Sequence, residues 1–343
     1  MSFASVADRD AIENEMSWAD RNVPATLYQQ LSKTAATFPD RPAVSYQLTS
    51  GPTDPAETVT WQQLLERSCQ AANVFRGLGI GEDDVIAYVL PNALETVYTL
   101  LGGAIAGVVA PINPLLEPEQ IGAILRETGA KVVVTLKPFP KTDVPQKVAE
   151  AVRHAPGVHT VLEIDLNRYL SPPKSWIVPL VRPKNPNTHH AKVMNFNSEI
   201  AKQNKTLDFA DSKVDRVAAY FHTGGTTGTP KLAQHTHFNE VFDGWIFVVQ
   251  LVGITQPLDG YFALAGATPL TKHLVEPDSV RAIHTGYVCQ SITGELFGEL
   301  GEIGHHGLAK TKSYRTSIFL VDHLLNPARE PYLGTTLAIG GLM

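Results

Sequence analysis

The chain has very little cysteine. Only Cys69 and Cys289 occur in 343 residues, too few for a disulfide scaffold or a cysteine-based zinc site, and this predicts a reducing, cytoplasmic setting. Basic residues are a minority as well, with 28 Lys and Arg against 34 Asp and Glu and a net charge of −6. Because nucleic-acid binding depends on a basic surface, the sequence argues against a nucleic-acid partner.

Long apolar runs are also missing. No stretch approaches the roughly 20 apolar residues that cross a bilayer, so no transmembrane segment is predicted. The first 18 residues carry Asp8, Asp10, Glu13 and Glu15 and have no apolar core, so they are not predicted to be a signal peptide. Hydrophobic residues nevertheless make up 43% of the chain, enough for a large buried core in one large domain or two smaller ones.

Short apolar segments alternate with helical patterns through the first half of the chain. Spacings of three and four predict helices, and unbroken apolar runs predict strands. The first predicted helix begins at Trp61 and stops near Gly77 and Gly79. The other predicted helices are Ala93 to Ile105, Pro118 to Thr128 and Val144 to His154, and the predicted strands are Val85 to Leu90, Val108 to Ile112, Val132 to Thr135 and Thr160 to Ile164. Such strands are typical of a parallel sheet with helices on both faces. The predicted fold class is therefore α/β, with mainly parallel sheets covered by helices.

Residues 137–213 are richer in proline, lysine and asparagine and are interpreted as largely irregular. Within them, Trp176, Ile177, Leu180 and Val181 lie among basic residues. This segment could dock on a membrane surface or an acyl chain, or fold onto its own domain, which is the preferred interpretation. The neighbouring prolines argue against an amphipathic helix.

The most informative segment is Tyr220 to Lys231, which reads YFHTGGTTGTPK. Its glycines let the backbone approach a ligand without a Cβ, while its threonine hydroxyls and Lys231 suit a polyphosphate. A surface turn would have the same composition. However, the apolar run Val217 to Phe221 predicts a buried strand before the segment, and Thr236 can cap a helix after it. The order of strand, loop and helix favours a phosphate-binding loop.

Two common nucleotide loops do not fit this segment. A Walker A loop requires Lys directly after Gly, whereas Thr229 and Pro230 separate Gly228 from Lys231. A dinucleotide-binding G-x-G-x-x-G is also missing. A P-loop NTPase is therefore disfavoured, because its Walker-B partner is not seen either.

Histidines follow the loop without forming a metal motif. His235 and His237 lie on one face of an extended segment. No cysteine, histidine or carboxylate cluster completes a zinc set with them. They are expected to flank the phosphate loop, and no role is predicted for His222.

The segment resembles the phosphate loop of the AMP-forming adenylate superfamily, of acyl-CoA synthetase type. The resemblance runs from about residue 16 to Trp245 and includes Thr26-Leu27-Tyr28 and Val59-Thr60-Trp61. It implies an ATP-dependent acyl-CoA ligase that uses ATP, Mg²⁺ and CoA and acts on a carboxylic acid, here expected to be a fatty acid. It further implies that the ATP phosphates contact Thr223, Gly224, Gly225, Thr226, Thr227, Gly228 and Lys231.

Later landmarks of that superfamily are altered. Gly334-Thr335-Thr336-Leu337 has leucine where the metal-associated glutamate is expected, and Tyr314-Arg315-Thr316-Ser317 lacks the glycine and aspartate of the ribose element. No catalytic or metal-binding residue is therefore assigned.

These departures predict two regions. Residues 1–245 are interpreted as the amino-terminal part of an AMP-binding domain, and residues 246–343 as a divergent tail, truncated or frame-shifted, with no C-terminal lid domain. The resulting incomplete adenylate-forming domain is expected to have impaired activity and to need a second copy or another partner over its core. The alternative function is that of a non-catalytic ATP-binding or interaction fragment.

Overall fold

The computed structural model describes residues 6–49, 55–184, 188–223, 231–252, 315–319, 321–322, 335–336 and 339–342. Gly224 to Pro230 of the predicted phosphate loop, and most of the tail after Trp245, lie outside these ranges. Among the helices that these ranges contain, none is both long and apolar enough to cross a membrane.

A small antiparallel sheet contains elements from both ends of the chain. The helices near the amino terminus are α1 (Val6–Glu15), a 3-10 helix (Ala19–Arg21) and α2 (Leu27–Thr37). The strands are β1 (Pro42–Gln47), β2 (Glu57–Thr60), β10 (Arg315–Phe319) and β13 (Ile339–Leu342), in the order β13-β10-β1-β2. A separate pair joins β11 (Val321–Asp322) to β12 (Thr335–Thr336).

The main sheet has seven strands in the order β7-β6-β5-β3-β4-β8-β9. The strands are β3 (Val85–Val89), β4 (Val108–Pro111), β5 (Ala130–Leu136), β6 (Thr160–Ile164), β7 (Lys192–Asn195), β8 (Val217–Thr223) and β9 (Lys231–Thr236). All neighbours are parallel except β9, which is antiparallel to β8. The predicted mainly parallel α/β sheet is confirmed.

Helices cover both faces of this sheet. The helices after β2 are α3 (Trp61–Gly77), α4 (Leu94–Ala106), α5 (Pro118–Thr128), α6 (Val144–Arg153), a 3-10 helix (Leu166–Tyr169), α7 (Lys174–Val181), α8 (Phe196–Ile200) and α9 (His237–Val252). The chain moves from β3 to β4 in one direction and from β4 back past β3 to β5 in the other. Because such crossovers are right-handed, α4 lies on one face and α5 and α6 on the other.

Several predicted boundaries agree closely with the structure. Pro118 begins α5, and Gly129 ends it with φ of 67°, a left-handed conformation that favours glycine. Thr236 and Asn239 cap the start of α9 reciprocally, through Asn239 N to Thr236 Oγ1 at 3.2 Å and Thr236 N to Asn239 Oδ1 at 3.0 Å. Local capping signals therefore identify these helix ends correctly.

The expectation that residues 174–181 are not helical is wrong. They form α7, with Pro179 inside it. Proline has no N–H to donate to the carbonyl four residues earlier, and the Asn167 side-chain amide donates to that carbonyl, Ser175 O, at 3.1 Å instead. A side chain outside the helix thus replaces the lost hydrogen bond, which no local pattern could indicate.

Helices α3 and α4 approach closely at a glycine. A Cβ at Gly102 would lie 2.7 Å from Ala71 Cβ and 2.8 Å from Ser68 O. We expect Gly102→Ala to lower the free energy of unfolding by about 1–3 kcal/mol, because the helices must move apart. Urea unfolding of the purified chain measures the change.

Gly77 provides the matched control. It ends α3, and no atom lies within 4 Å of a Cβ built there. Gly77→Ala is expected to be neutral or to stabilise the chain by up to about 1 kcal/mol, through helix propensity. Equal destabilisation by the two substitutions would contradict the steric explanation.

Candidate functional site

A β-hairpin brings the two ends of the predicted phosphate loop together. Thr223 ends β8 and Lys231 begins β9, and their Cα positions are paired across the two strands. The segment 224–230 therefore connects two adjacent backbone positions. Of the predicted contacts, Thr223 and Lys231 lie in this hairpin, while Gly224, Gly225, Thr226, Thr227 and Gly228 lie outside the described residues.

The hairpin lies at the edge of the sheet where ligands are expected. β8 is parallel to β4, with Val109 opposite Ala219, so Thr223 is at the carboxyl end of a parallel strand. In open α/β sheets, ligands bind outside the carboxyl ends of the strands. The position of the loop in the fold therefore agrees with anion binding.

Arg216 anchors the start of β8. Its guanidinium donates to Ala104 O, Ile105 O and Gly107 O at 2.9, 2.8 and 2.7 Å. These carbonyls belong to the carboxyl-terminal end of α4, where a positive charge is favourable. Arg216 thus joins β8 to α4, a role with no motif in the sequence.

His222 is the last residue before Thr223, and the nitrogen atoms of its ring are buried. Both ring nitrogens are buried and have no hydrogen-bond partner within the described part of the chain. Burial lowers the pKa of His222, which favours the neutral ring. The structure therefore places unpaired polar atoms directly beside the loop, where sequence reasoning assigned no role.

His235 lies at the opposite end of the hairpin from the loop. It is paired with Ala219, near the amino end of β8, so the expectation that it flanks the loop is wrong. Its Nδ1 lies 2.9 Å from Glu240 Oε1, and this hydrogen bond raises the pKa of His235. His235 therefore acts as a local partner of α9.

His237 is buried beneath α2. It is 0% exposed, and its Nδ1 accepts a hydrogen bond from Leu27 N at 3.4 Å. Because Nδ1 accepts, the proton of the neutral ring is on Nε2, which has no partner among the residues described. Burial, followed by the nearby Arg216 charge, lowers the pKa of His237 to about 4.

A buried polar network occupies the same carboxyl edge beyond β3, β6 and β7. Glu95, in the first turn of α4, accepts hydrogen bonds at Oε1 from Arg168 at 3.0 Å and from Asn197 at 2.9 Å. Its Oε2 accepts from Tyr169 Oη at 2.5 Å. Arg168 also bonds Glu57 Oε1 at 2.8 Å. Both oxygens of the Glu95 carboxylate thus accept hydrogen bonds from protein side chains. The network joins the segments that follow β3, β6 and β7 and so stabilises this edge of the sheet.

The described residues do not provide a metal site. No group of three or more His, Cys, Asp or Glu within them is arranged to hold a metal ion. No ligand of Mg²⁺ is assigned within this part of the chain, and no chemical step is assigned to the ion.

Residues 31–265 match the family described as AMP-binding enzyme. The chain belongs to this family. This AMP-binding enzyme chain is 32% identical, over 214 residues, to a marinolic acid–CoA ligase of Pseudoalteromonas sp. (strain SANK 73390), a match covering 62% of the chain and 29% of the relative. It is 29% identical, over 237 residues, to a long-chain-fatty-acid–CoA ligase of Bacillus subtilis (strain 168), covering 66% of the chain and 40% of the relative.

A solved structure has the same fold. The anthranilate CoA ligase AuaEII, in complex with anthranoyl-AMP, matches with a TM-score of 0.52 and 20% identity. The match covers 70% of the AMP-binding chain and 40% of that structure. The chain thus spans less than half the length of the curated ligases and of the solved ligase.

Proposed function

We propose that this chain forms the ATP-phosphate-binding part of an ATP-dependent acyl-CoA ligase. The observation that carries the proposal is the hairpin closed by Thr223 and Lys231 at the carboxyl edge of the parallel sheet, joined by a glycine- and threonine-rich segment. The named activities of the similar ligases support the reaction class. Fatty acids are the proposed substrates, on the ground of the similar Bacillus subtilis ligase.

The proposed reaction has two balanced steps. A carboxylate oxygen attacks the α-phosphorus of ATP, forming an acyl–oxygen–phosphorus bond as the bond to pyrophosphate breaks. The CoA sulfur then attacks the acyl carbon, the thiol proton leaves, and AMP departs. Lys231 and the loop residues from Thr223 to Gly228 would hold the β- and γ-phosphates. The loop would contribute its backbone amides, and Lys231 its positive charge. Mg²⁺ is a proposed companion of ATP without assigned ligands.

Three further expectations remain proposals. The boundary near Trp245 would separate the amino-terminal part of the AMP-binding domain from a divergent tail, and activity of this chain alone would be impaired. The proposed location is the cytoplasm, in keeping with a reduced Cys69. Burial raises the pKa of that thiol to about 12, which keeps it protonated and unreactive.

ATP–pyrophosphate exchange with a panel of fatty and aromatic acids tests the function. Lys231→Ala is expected to lower exchange by about 10- to 100-fold, because a charge-assisted contact to phosphate contributes roughly 1.5–3 kcal/mol. Lys213→Ala is the matched control, since Lys213 is an exposed lysine before β8. Equal effects of the two substitutions would contradict the assigned role of Lys231.

The same assay, together with a measurement of ATP binding, distinguishes the ligase from the alternative function. ATP binding without exchange for any acid would favour a non-catalytic ATP-binding or interaction fragment. Loss of ATP binding in Gly225→Val would locate the nucleotide at the loop, because a side chain there would block close approach of the backbone. Retained ATP binding in Gly225→Val would argue against that location.

A further inference from the structure

Helix α7 exposes a group of apolar side chains. Trp176 is 69% exposed, Ile177 50%, Leu180 85% and Val181 57%. We call these four residues the α7 face. Single exposed apolar residues are ordinary on protein surfaces, whereas a contiguous group marks an interaction site.

The geometry of the helix directs the α7 face away from the domain. At 3.6 residues per turn, positions 176, 177, 180 and 181 share one side, while Val178 points elsewhere. Val178 is 9% exposed and packs into the core. The α7 face is therefore the outward side of a helix whose inward residue, Val178, is also apolar.

Polar contacts hold α7 in this orientation. The Arg182 guanidinium donates to Asp165 Oδ1 and Oδ2 at 3.0 and 2.9 Å and to Pro138 O at 2.6 Å. Asn167 bonds Ser175 O at the other end of the helix, at 3.1 Å. Both ends of α7 are thus tied to the segments around β6, and these contacts fix the orientation of the helix.

The chain segment that contains α7 carries only basic charges. No Asp or Glu occurs from Leu166 to Ser198, although the whole chain carries a net charge of −6. Lys174 and Lys184 are exposed on either side of the α7 face, and Lys192 is exposed on β7. An apolar surface with a cationic rim is complementary to anionic lipid headgroups above an acyl layer.

We propose that the α7 face docks on the surface of a lipid bilayer that contains anionic lipids. Trp176 suits the boundary between headgroups and acyl chains because its ring is amphipathic. Leu180 and Ile177 would enter the acyl layer, while Lys174 and Lys184 remain among the headgroups. Because α7 has eight residues, too few to cross a bilayer, it would lie along the bilayer surface.

Docking requires neither ATP nor CoA, so its test is separate from that of the ligase chemistry. The full chain is mixed with extruded vesicles of phosphatidylcholine, alone or with phosphatidylglycerol, and the bound fraction is measured by sedimentation. We expect binding to the anionic vesicles and a decrease with added NaCl. Failure to bind either vesicle would overturn the proposal without affecting the exchange assay.

Two double variants test the apolar and the charged parts. Trp176→Ser with Leu180→Ser is expected to lower the partition coefficient about tenfold or more, through lost apolar burial. Leu115→Ser with Val214→Ser is the matched control, since these residues are 56% and 66% exposed elsewhere, and it should leave binding unchanged. Lys174→Glu with Lys184→Glu is expected to remove the preference for anionic vesicles. Equal binding by the serine variants and the parent would overturn the proposal.

Fluorescence identifies the side chain that enters the bilayer. Brominated lipids are expected to quench part of the tryptophan emission of the parent. Trp176→Phe should remove that part while vesicle binding is kept, because phenylalanine is also apolar. Quenching that persists in Trp176→Phe would overturn the assignment of the α7 face. A lower mass of Trp176→Ser with Leu180→Ser in lipid-free sedimentation would instead assign this face to contact between copies of the chain.

Discussion

Glu95→Ala is expected to lower the free energy of unfolding by about 3–5 kcal/mol. The Glu95 side chain is 2% exposed and is paired with Arg168. Removing the carboxylate leaves Arg168 Nη1, Asn197 Nδ2 and Tyr169 Oη without their acceptor. Because these donors are partly buried, water cannot fully replace the lost hydrogen bonds. Urea unfolding, followed by circular dichroism, measures the change.

Glu57 is the matched control for Glu95. It binds the same Arg168 guanidinium, at 2.8 Å, but its side chain is 39% exposed. Glu57→Ala is therefore expected to cost less than about 1 kcal/mol, as exposed ion pairs do. Glu95→Gln should be intermediate, since its oxygen can face Arg168 and Asn197 while its amide donates to Tyr169 Oη. A loss in Glu95→Ala no greater than in Glu57→Ala would contradict the supporting role of the network.

The stability of the chain is expected to fall as the pH drops from about 6.5 to about 4, through His237. The folded pKa of His237 is lowered from 6.5 to about 4, so the unfolded chain binds the proton more readily. Stability therefore rises with pH in this window, and the contribution is complete above the unfolded pKa. The full difference corresponds to about 3 kcal/mol.

His237→Asn isolates this effect. Asparagine keeps a side-chain acceptor for Leu27 N but does not titrate. The difference in unfolding free energy between parent and variant should therefore change by about 3 kcal/mol between pH 7 and pH 4. His154→Asn is the control, because the His154 side chain is 57% exposed. A difference between parent and His237→Asn that stays constant with pH would refute the assignment.

The proposed activity and the proposed membrane contact use different parts of the structure. The hairpin at Thr223 and Lys231 lies beside β4, while α7 follows β6 on the other side of the sheet. Fatty acids, the proposed substrates, partition into bilayers, so docking through α7 would place the chain near its substrate. The exchange and vesicle assays address these two proposals independently.

The strands and helices of the parallel sheet were largely predictable because their signals are local. The runs around Val85, Val108 and Thr160 are apolar along their whole length, and β3, β4 and β6 coincide with them to within one residue. Residues 174–200 were not predictable in the same way. There α7 and α8 depend on partners distant in sequence, such as Pro138 for Arg182 next to α7 and Glu95 for Asn197 in α8.

The candidate site also contains residues that the sequence predicts and residues that only the fold brings together. The loop composition identified Thr223 and Lys231 because glycine, threonine and lysine suit phosphate chemistry regardless of the rest of the fold. The Glu95 network has no such signal, since Arg168 and Asn197 lie 73 and 102 residues away along the chain. Likewise, nothing near His237 indicates that α2 buries it.

The sequence alone determined the family resemblance, the mainly parallel sheet and the loop composition, because these depend on local periodicity and residue chemistry. Only the tertiary structure decided that Thr223 and Lys231 close a hairpin, that His235 lies far from the loop, and that the apolar residues of α7 face outward. These features follow from contacts between segments far apart in the chain, such as Arg182 with Asp165 and Pro138, whose pairing no local pattern encodes.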